Sequence, residues 1–242
     1  MRAVVCALAI TACSFPEKEL IDAQGTPFGC LNAPAPTKAD NPAVISGTVV
    51  VAGPGTPLQN ASVAGQLAGT PTSIFLAHTD ASGMFRQSQN TGGTPLDLYL
   101  AVSANGLFPT NYYPAYKVTH SISFPAVGAI QLFSQTDADR LAMAAGITLD
   151  PAKGHIILTV DDCNGKALAG GTVTTSPAGT IRYFAQQVPS QTATSTDTLG
   201  VVLVANLPVG NVMLSATVGG MNLRTHNINI VAGTFIQTEM QP

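Results

Sequence analysis

The 242-residue sequence contains no tryptophan, and only 10% of its residues are charged. Ten basic residues against 13 acidic ones give a net charge of −3, which argues against a nucleic-acid partner. Mean hydropathy is +0.28, yet no run approaches the ~18 apolar residues of a membrane-spanning helix. Patterns that carry chemistry are equally scarce. His78, His120, His155 and His226 are far apart, none belongs to a His-Glu-x-x-His helix, and none has a carboxylate at metal-ligand spacing. No Gly-x-Ser-x-Gly elbow or phosphate loop is present. These absences predict a chain with no catalytic site, no metal and no cofactor.

What the sequence has is 23 Gly, 17 Pro and abundant Thr, Ser and Val, the composition of β-strands and tight turns. It also repeats itself. Ile45-Ser-Gly-Thr-Val-Val leads through Gly55-Thr-Pro-Leu58 to Ala61-Ser-Val63 and on to Thr79-Asp80-Ala-Ser-Gly83-Met-Phe85. Ile156-Ile-Leu-Thr-Val160 leads through Asn164-Gly-Lys-Ala-Leu168 to Gly171-Thr-Val173 and Thr196-Asp197-Thr-Leu-Gly200-Val-Val202. A repeat this long predicts two similar domains, since solenoid units run to about 20–50 residues. In Asp80-Ala-Ser-Gly83 the carboxylate can accept from backbone two residues ahead, and glycine takes a left-handed conformation cheaply. Asp80 and Asp197 are therefore expected to be turn formers.

Ile-x-Gly-x-Val, a glycine-bearing turn, Pro-Leu-x-x-Ala-x-Val and Thr-Asp-x-x-Gly-x-Phe resemble the carboxypeptidase regulatory-like domain, also called transthyretin-like or prealbumin-like. The match is good over about 42–133. It is looser over about 154–242, with Ala167 where the family prefers Pro and Val202 where it prefers an aromatic. The resemblance implies an all-β fold of two tandem antiparallel prealbumin-like (Ig-like) β-sandwiches, each of seven strands, and implies little about activity. Two enzyme groups share such folds. The intradiol dioxygenases hold ferric iron through two tyrosines and two histidines, usually with a His-x-His pair. Here Tyr112, Tyr113, Tyr116 and His120 occur without that pair, leaving an iron dioxygenase relative as a remote alternative. The hydroxyisourate hydrolases end in Tyr-Arg-Gly-Ser, and this chain ends Glu-Met-Gln-Pro.

The first residues read as an address. Arg2, the apolar run from Ala3 to Ala12, and Ile10-Thr11-Ala12-Cys13 resemble a bacterial lipoprotein signal, with residues 1–12 removed and Cys13 acylated. The run is too short to span a bilayer. Ser14 resembles a signal that does not retain the protein at the inner membrane, so the expected location is the outer membrane, on its periplasmic face or at the cell surface. Removing the leader leaves 9 basic residues against 13 acidic, a net charge of −4. Residues 13–41, where Pro16, Pro27, Pro34 and Pro36, followed by Pro42, limit regular structure, read as a spacer with order expected near Phe28-Gly-Cys30. With Cys6 in the leader and Cys13 at the lipobox, Cys30 and Cys163 are the candidates for a disulfide in an oxidising compartment. Two free buried thiols are the other reading.

Between the domains, Ser134-Gln-Thr136-Asp-Ala-Asp-Arg-Leu-Ala-Met-Ala-Ala-Gly146 predicts a helix within a linker at 134–150. Thr136 is the expected N-cap and Gly146 the stop, with Leu141, Met143 and Ala144 packing on the domains. The second domain then occupies 151–242. The most ligand-like segment is Tyr112-Tyr113-Pro-Ala-Tyr116, whose rings could stack on sugar or protein; a crossing loop closing the end of the sandwich is the competing reading. Leu168 to Asp197 spans 29 positions against 22 for Leu58 to Asp80, so Arg182 and Tyr183 in that longer connection are further contact candidates. The functional expectation is a non-enzymatic cell-envelope lipoprotein acting as a structural or binding module. Its partners would be the membrane, through the lipid, and an envelope protein or carbohydrate bound at Tyr112, Tyr113 and Tyr116.

Overall fold

The computed structural model describes residues 27–70, 72–125 and 128–242. The leader, Cys6 and Cys13 lie outside the described residues. The first half supplies β1 (Ala43–Val51), β2 (Ser62–Leu67), β3 (Ser73–His78), β4 (Met84–Gln89), β5 (Leu98–Ser103), β6 (Thr110–Tyr113), β7 (Ile122–Phe124) and β8 (Ile130–Leu132). Helix α1 (Gln135–Ala145) follows. The second half supplies β9 (Gly154–Val160), β10 (Gly171–Ser176), β11 (Thr180–Ala185), β12 (Val188–Pro189), β13 (Val201–Leu207), β14 (Gly210–Val218), β15 (Met221–Asn222), β16 (His226–Ile230) and β17 (Phe235–Met240). No helix among the described residues is long and apolar enough to cross a membrane.

The repeat is reproduced hydrogen bond by hydrogen bond. Val49 N–H donates to Gly83 O at 2.8 Å and Leu58 N–H to Val49 O at 3.0 Å, while Val160 N–H donates to Gly200 O at 2.9 Å and Leu168 N–H to Val160 O at 2.8 Å. The threonine of each Thr-Asp-x-x-Gly is the centre of this joint. Thr79 Oγ1 donates to Leu58 O and accepts from Ala61 N–H at 2.9 Å. Thr196 Oγ1 donates to Leu168 O at 2.7 Å and accepts from Gly171 N–H at 2.8 Å. Asp80 Oδ1 accepts from the Ser82 and Met84 amides, each at 2.9 Å, and Asp197 Oδ1 from Leu199 N–H at 2.9 Å. The Ser82 hydroxyl and the Met84 amide hold the Asp80 carboxyl below its usual range. The glycines are required twice over: φ is +74° at Gly83 and +67° at Gly200, and an added Cβ would lie 2.5 Å from Val49 O or 2.7 Å from Val160 O.

The sheets connect the two halves. A nine-stranded sheet runs β12-β11-β13-β9-β17-β6-β5-β2-β3, and two four-stranded sheets, β4-β1-β7 with β8 and β10-β14-β15 with β16, complete the described strands. The C-terminal strand β17 lies between the halves, parallel to β9 on one side and to β6 on the other. The two small sheets cover opposite faces. Ile156, Leu158, Val202, Val204, Ile236 and Tyr113 share one core with Val173, Leu214 and Ile228. Leu100, Val102 and Tyr112 share another with Ile45, Val49 and Ile130. The intervening residues of β9, β13 and β17 meet α1 instead: Leu203, Ala205 and Ile157 pack with Ala145, and Phe235 packs with Phe133 and Ala138. Strands covered on both faces read as unbroken apolar runs, which accounts for Ile156-Ile-Leu and Val201-Val-Leu-Val.

The helix differs in detail from expectation. Ser134, not Thr136, is the N-cap, accepting from Asp137 N–H at 3.1 Å and donating to Asp137 Oδ2 at 2.6 Å. Gly146 is the left-handed C-terminal residue, with Ile147 N–H reaching back to Ala142 O at 3.0 Å. The buried stripe is Ala138, Ala142 and Ala145; Met143 is 76% exposed, because three small residues let the helix lie close on the sheet and turn position 143 outward.

Candidate functional site

Residues 27–41 are held to the body. Cys30 and Cys163 form a disulfide, Cys163 N–H donates to Pro27 O at 3.0 Å, and Arg224 Nη2 donates to Cys30 O at 3.0 Å and Ala33 O at 2.9 Å. Further along, Ala39 N–H donates to Gly93 O and Asp40 N–H to Thr119 O. The segment therefore starts at the second half and crosses onto the first.

Where this arm, the Tyr112–His120 segment and the C-terminal strand meet, there is a cleft of about 230 Å³. Tyr112, Pro114, Tyr116, Val118, Ile122 and Phe124 give it apolar walls, and His120, Arg224 and Glu239 contribute polar groups. Tyr116 donates to Pro242 O at 3.0 Å, and the Arg224 guanidinium lies 5.2 Å from its ring centroid. Burial raises the Tyr116 phenol, Arg224 opposes that shift, and Glu239 adds to it. His120 Nδ1 shares a 3.0 Å hydrogen bond with Thr119 Oγ1, while its buried Nε2 has no hydrogen-bond partner among the described residues. A second hollow, of about 370 Å³, lies against Asp161, Lys166 and Glu239.

The three tyrosines do not share a surface. Strand alternation sends Tyr112 and Tyr113 into different cores, where they are 2% and 6% exposed. Tyr112 donates to Glu239 Oε1 at 2.9 Å, and burial, together with that carboxylate, pushes its phenol well above the usual range. Tyr113 stacks on Tyr99 at 4.7 Å between centroids, meets His226 edge-on and donates to Asn229 O at 3.3 Å. Only Tyr116 of the three is half-exposed. Tyr112 and Tyr113, on opposite faces of β6, cannot both join His120 around one iron.

Arg182 and Tyr183 are also committed to the fold. Arg182 Nε donates to Ala145 O at 2.9 Å, capping the C-terminus of α1 from outside, where the helix's last turn has no basic residue of its own. Tyr183 is buried, its oxygen accepting from Val173 N–H at 2.9 Å. Sequence reasoning set His120 beside the tyrosines only as a remote iron ligand and missed Arg224 altogether. They are 104 positions apart in the sequence, and the fold places both on the wall of one cleft.

No family model matches the chain, and no curated protein matches it. Among solved structures it is similar to the TIE protein of Bacillus anthracis, at 15% identity over 83% of this chain and a TM-score of 0.29; the chain spans 33% of that protein's length. It is also similar to GBS52, the minor pilin of Streptococcus agalactiae, at 16% identity over 82% of this chain and 95% of the pilin, with a TM-score of 0.26. A cohesin–X-dockerin complex from Acetivibrio cellulolyticus is similar at 19% identity over 46% of this chain and 67% of that chain, with a TM-score of 0.28. At these TM-scores none of the three likenesses carries an argument about function.

Proposed function

We propose that this chain is a non-enzymatic structural module of the bacterial cell envelope, exported, acylated at Cys13 and held at the outer membrane. In this reading residues 42–133 and 151–242 are two prealbumin-like sandwiches, linked through 134–150, that act as one rigid body. The supporting observation is the shared sheet: β17 is hydrogen-bonded into both halves, and the arm nearest Cys13 is tied to the second half through Cys30–Cys163. An anchor at Cys13 would then hold the whole body through a short, cross-linked arm. The side chains first considered for chemistry already make internal contacts: Tyr112 to Glu239, Tyr113 to Asn229, Tyr183 to Val173 and Arg182 to Ala145. Binding of a carbohydrate or an envelope protein through tyrosine is thereby narrowed to the cleft lined by Tyr116.

The test is intact mass and membrane fractionation after expression from the native start codon in a diderm bacterium. The expected product begins at Cys13, carries added acyl mass and sediments with membranes, and Cys13→Ala releases it. An unprocessed, soluble cytoplasmic chain overturns the proposal.

A further inference from the structure

We propose that the cleft beside Tyr116 binds a small amphiphilic monocarboxylate, with its apolar body against Tyr116, Val118 and Phe124 and its carboxylate at Arg224 and His120. Size comes first. About 230 Å³ is less than the ~300–1,000 Å³ of pockets that enclose drug-sized ligands. The cleft therefore suits a compact molecule rather than a stretch of polysaccharide or a folded partner's loop.

Polarity decides the class. The walls are mainly apolar, but two groups on them are incompletely matched. Arg224 makes no ion pair among the described residues. Besides lying over the Tyr116 ring, it makes side-chain hydrogen bonds among the described residues through Nη2, to the carbonyls of Cys30 and Ala33, whereas a guanidinium offers five N–H donors. His120 Nε2 is buried without a partner among the described residues, which is unfavourable for a polar atom. In the tautomer whose Nδ1 accepts from the Thr119 hydroxyl, Nε2 carries the proton and can donate to a ligand oxygen. Charge and donors are thus both offered to an anion beside an apolar surface. Glu239 on the same wall accepts from Tyr112 and Gln241, and its negative charge limits the site to a single carboxylate.

The probes are octanoate and octan-1-ol, which share the chain length and differ in charge, titrated into the full, disulfide-bonded protein and followed by ¹H–¹⁵N spectra. Octanoate is expected to saturate with Kd below about 1 mM and octanol to bind at least about tenfold more weakly. The octanoate-induced shifts should centre on Tyr116, Val118, His120 and Arg224. His120→Phe keeps the wall apolar and removes the donor, and should weaken octanoate severalfold without changing octanol. Ala115→Trp fills the cleft and should abolish both. Equal affinity for the two probes overturns the proposal, as does the absence of saturable shifts below about 10 mM. Unchanged octanoate binding in His120→Phe, or in a folded Ala115→Trp, places the ligand elsewhere and overturns it too.

Discussion

Replacing Thr79 by valine keeps the side-chain shape and deletes one oxygen. That oxygen is 2% exposed as part of Thr79 and serves Leu58 O and Ala61 N–H together. Threonine and valine are not interchangeable in a core because of the hydroxyl, and each buried group left without its partner costs about 1–3 kcal/mol. Two such groups give an expected loss of about 2–6 kcal/mol for Thr79→Val. Thr79→Ser keeps the hydroxyl and loses one methyl, about 1 kcal/mol. Thr196→Val removes the same pair of bonds in the second half, at Leu168 O and Gly171 N–H, and should cost a similar amount. The assay is guanidinium unfolding with m held constant across the series, supported by thermal melts. For a chain of this size about 2–6 kcal/mol lowers Tm by roughly 4–24 °C. Because β17 joins the halves in one sheet, both variants should move the same single transition. The sites share no partner, so the double variant should lose the sum within about 0.5 kcal/mol. If Thr79→Val costs no more than Thr79→Ser, the joint does not act through the hydroxyl. Two transitions, each moved by only one variant, would refute the single cooperative sheet.

Arg182→Met removes the guanidinium from Ala145 O and should destabilise the protein by about 1–2 kcal/mol, with amide exchange in the last turn of α1 accelerating before the rest of the helix; unchanged exchange there would remove the capping role. Burial lowers His155 from 6.5 to about 4 and lowers His226 as well. Below pH 6.5 the unfolded chain takes up protons that these folded histidines refuse, so stability is full above 6.5 and falls as pH drops toward about 4. His155→Gln should flatten that slope in denaturant titrations at stepped pH, and an identical slope would rule out His155 as its source.

Local chemistry was legible in the sequence. Asp80, Gly83, Asp197 and Gly200 announce their turns because the conformations they permit are set within four residues, and Gly146 ends its helix for the same reason. The errors have physical sources. Ser134 and Thr136 are both competent caps, and the choice between them depends on which turn meets the sheet. Tyr112 and Tyr113 look like a pair in sequence, but a strand sends neighbours to opposite faces, and both faces of β6 are covered. Arg182 resembles a free loop cation until the end of α1 is placed beneath it. The shared sheet has no local signature at all: β17 pairs with residues about 80 and 125 positions earlier, and its sequence, FIQTEM, records only burial on both sides.

The position of β17 changes what the two halves can do. Domains joined by a helix and a modest surface are expected to move relative to one another. Here the joint is a backbone ladder, Phe235 to Thr238 against Thr110 to Tyr113 and Phe235 to Met240 against His155 to Val160, and ladder amides cannot be parted without leaving buried donors and acceptors unpaired. Phe235 adds a stacked contact with Phe133 at 4.4 Å and an edge contact with Phe108 at 5.6 Å, each about 0.5–1.5 kcal/mol beyond burial. The arm makes the tie a second time, from the other end of the chain, through Cys163 and Arg224 on one half and Gly93 and Thr119 on the other. To swing apart, the halves would have to break the ladder and strip the arm together. The ladder and the arm thus tie the two halves at both ends of the chain, and any ligand in the Tyr116 cleft meets walls contributed by both halves.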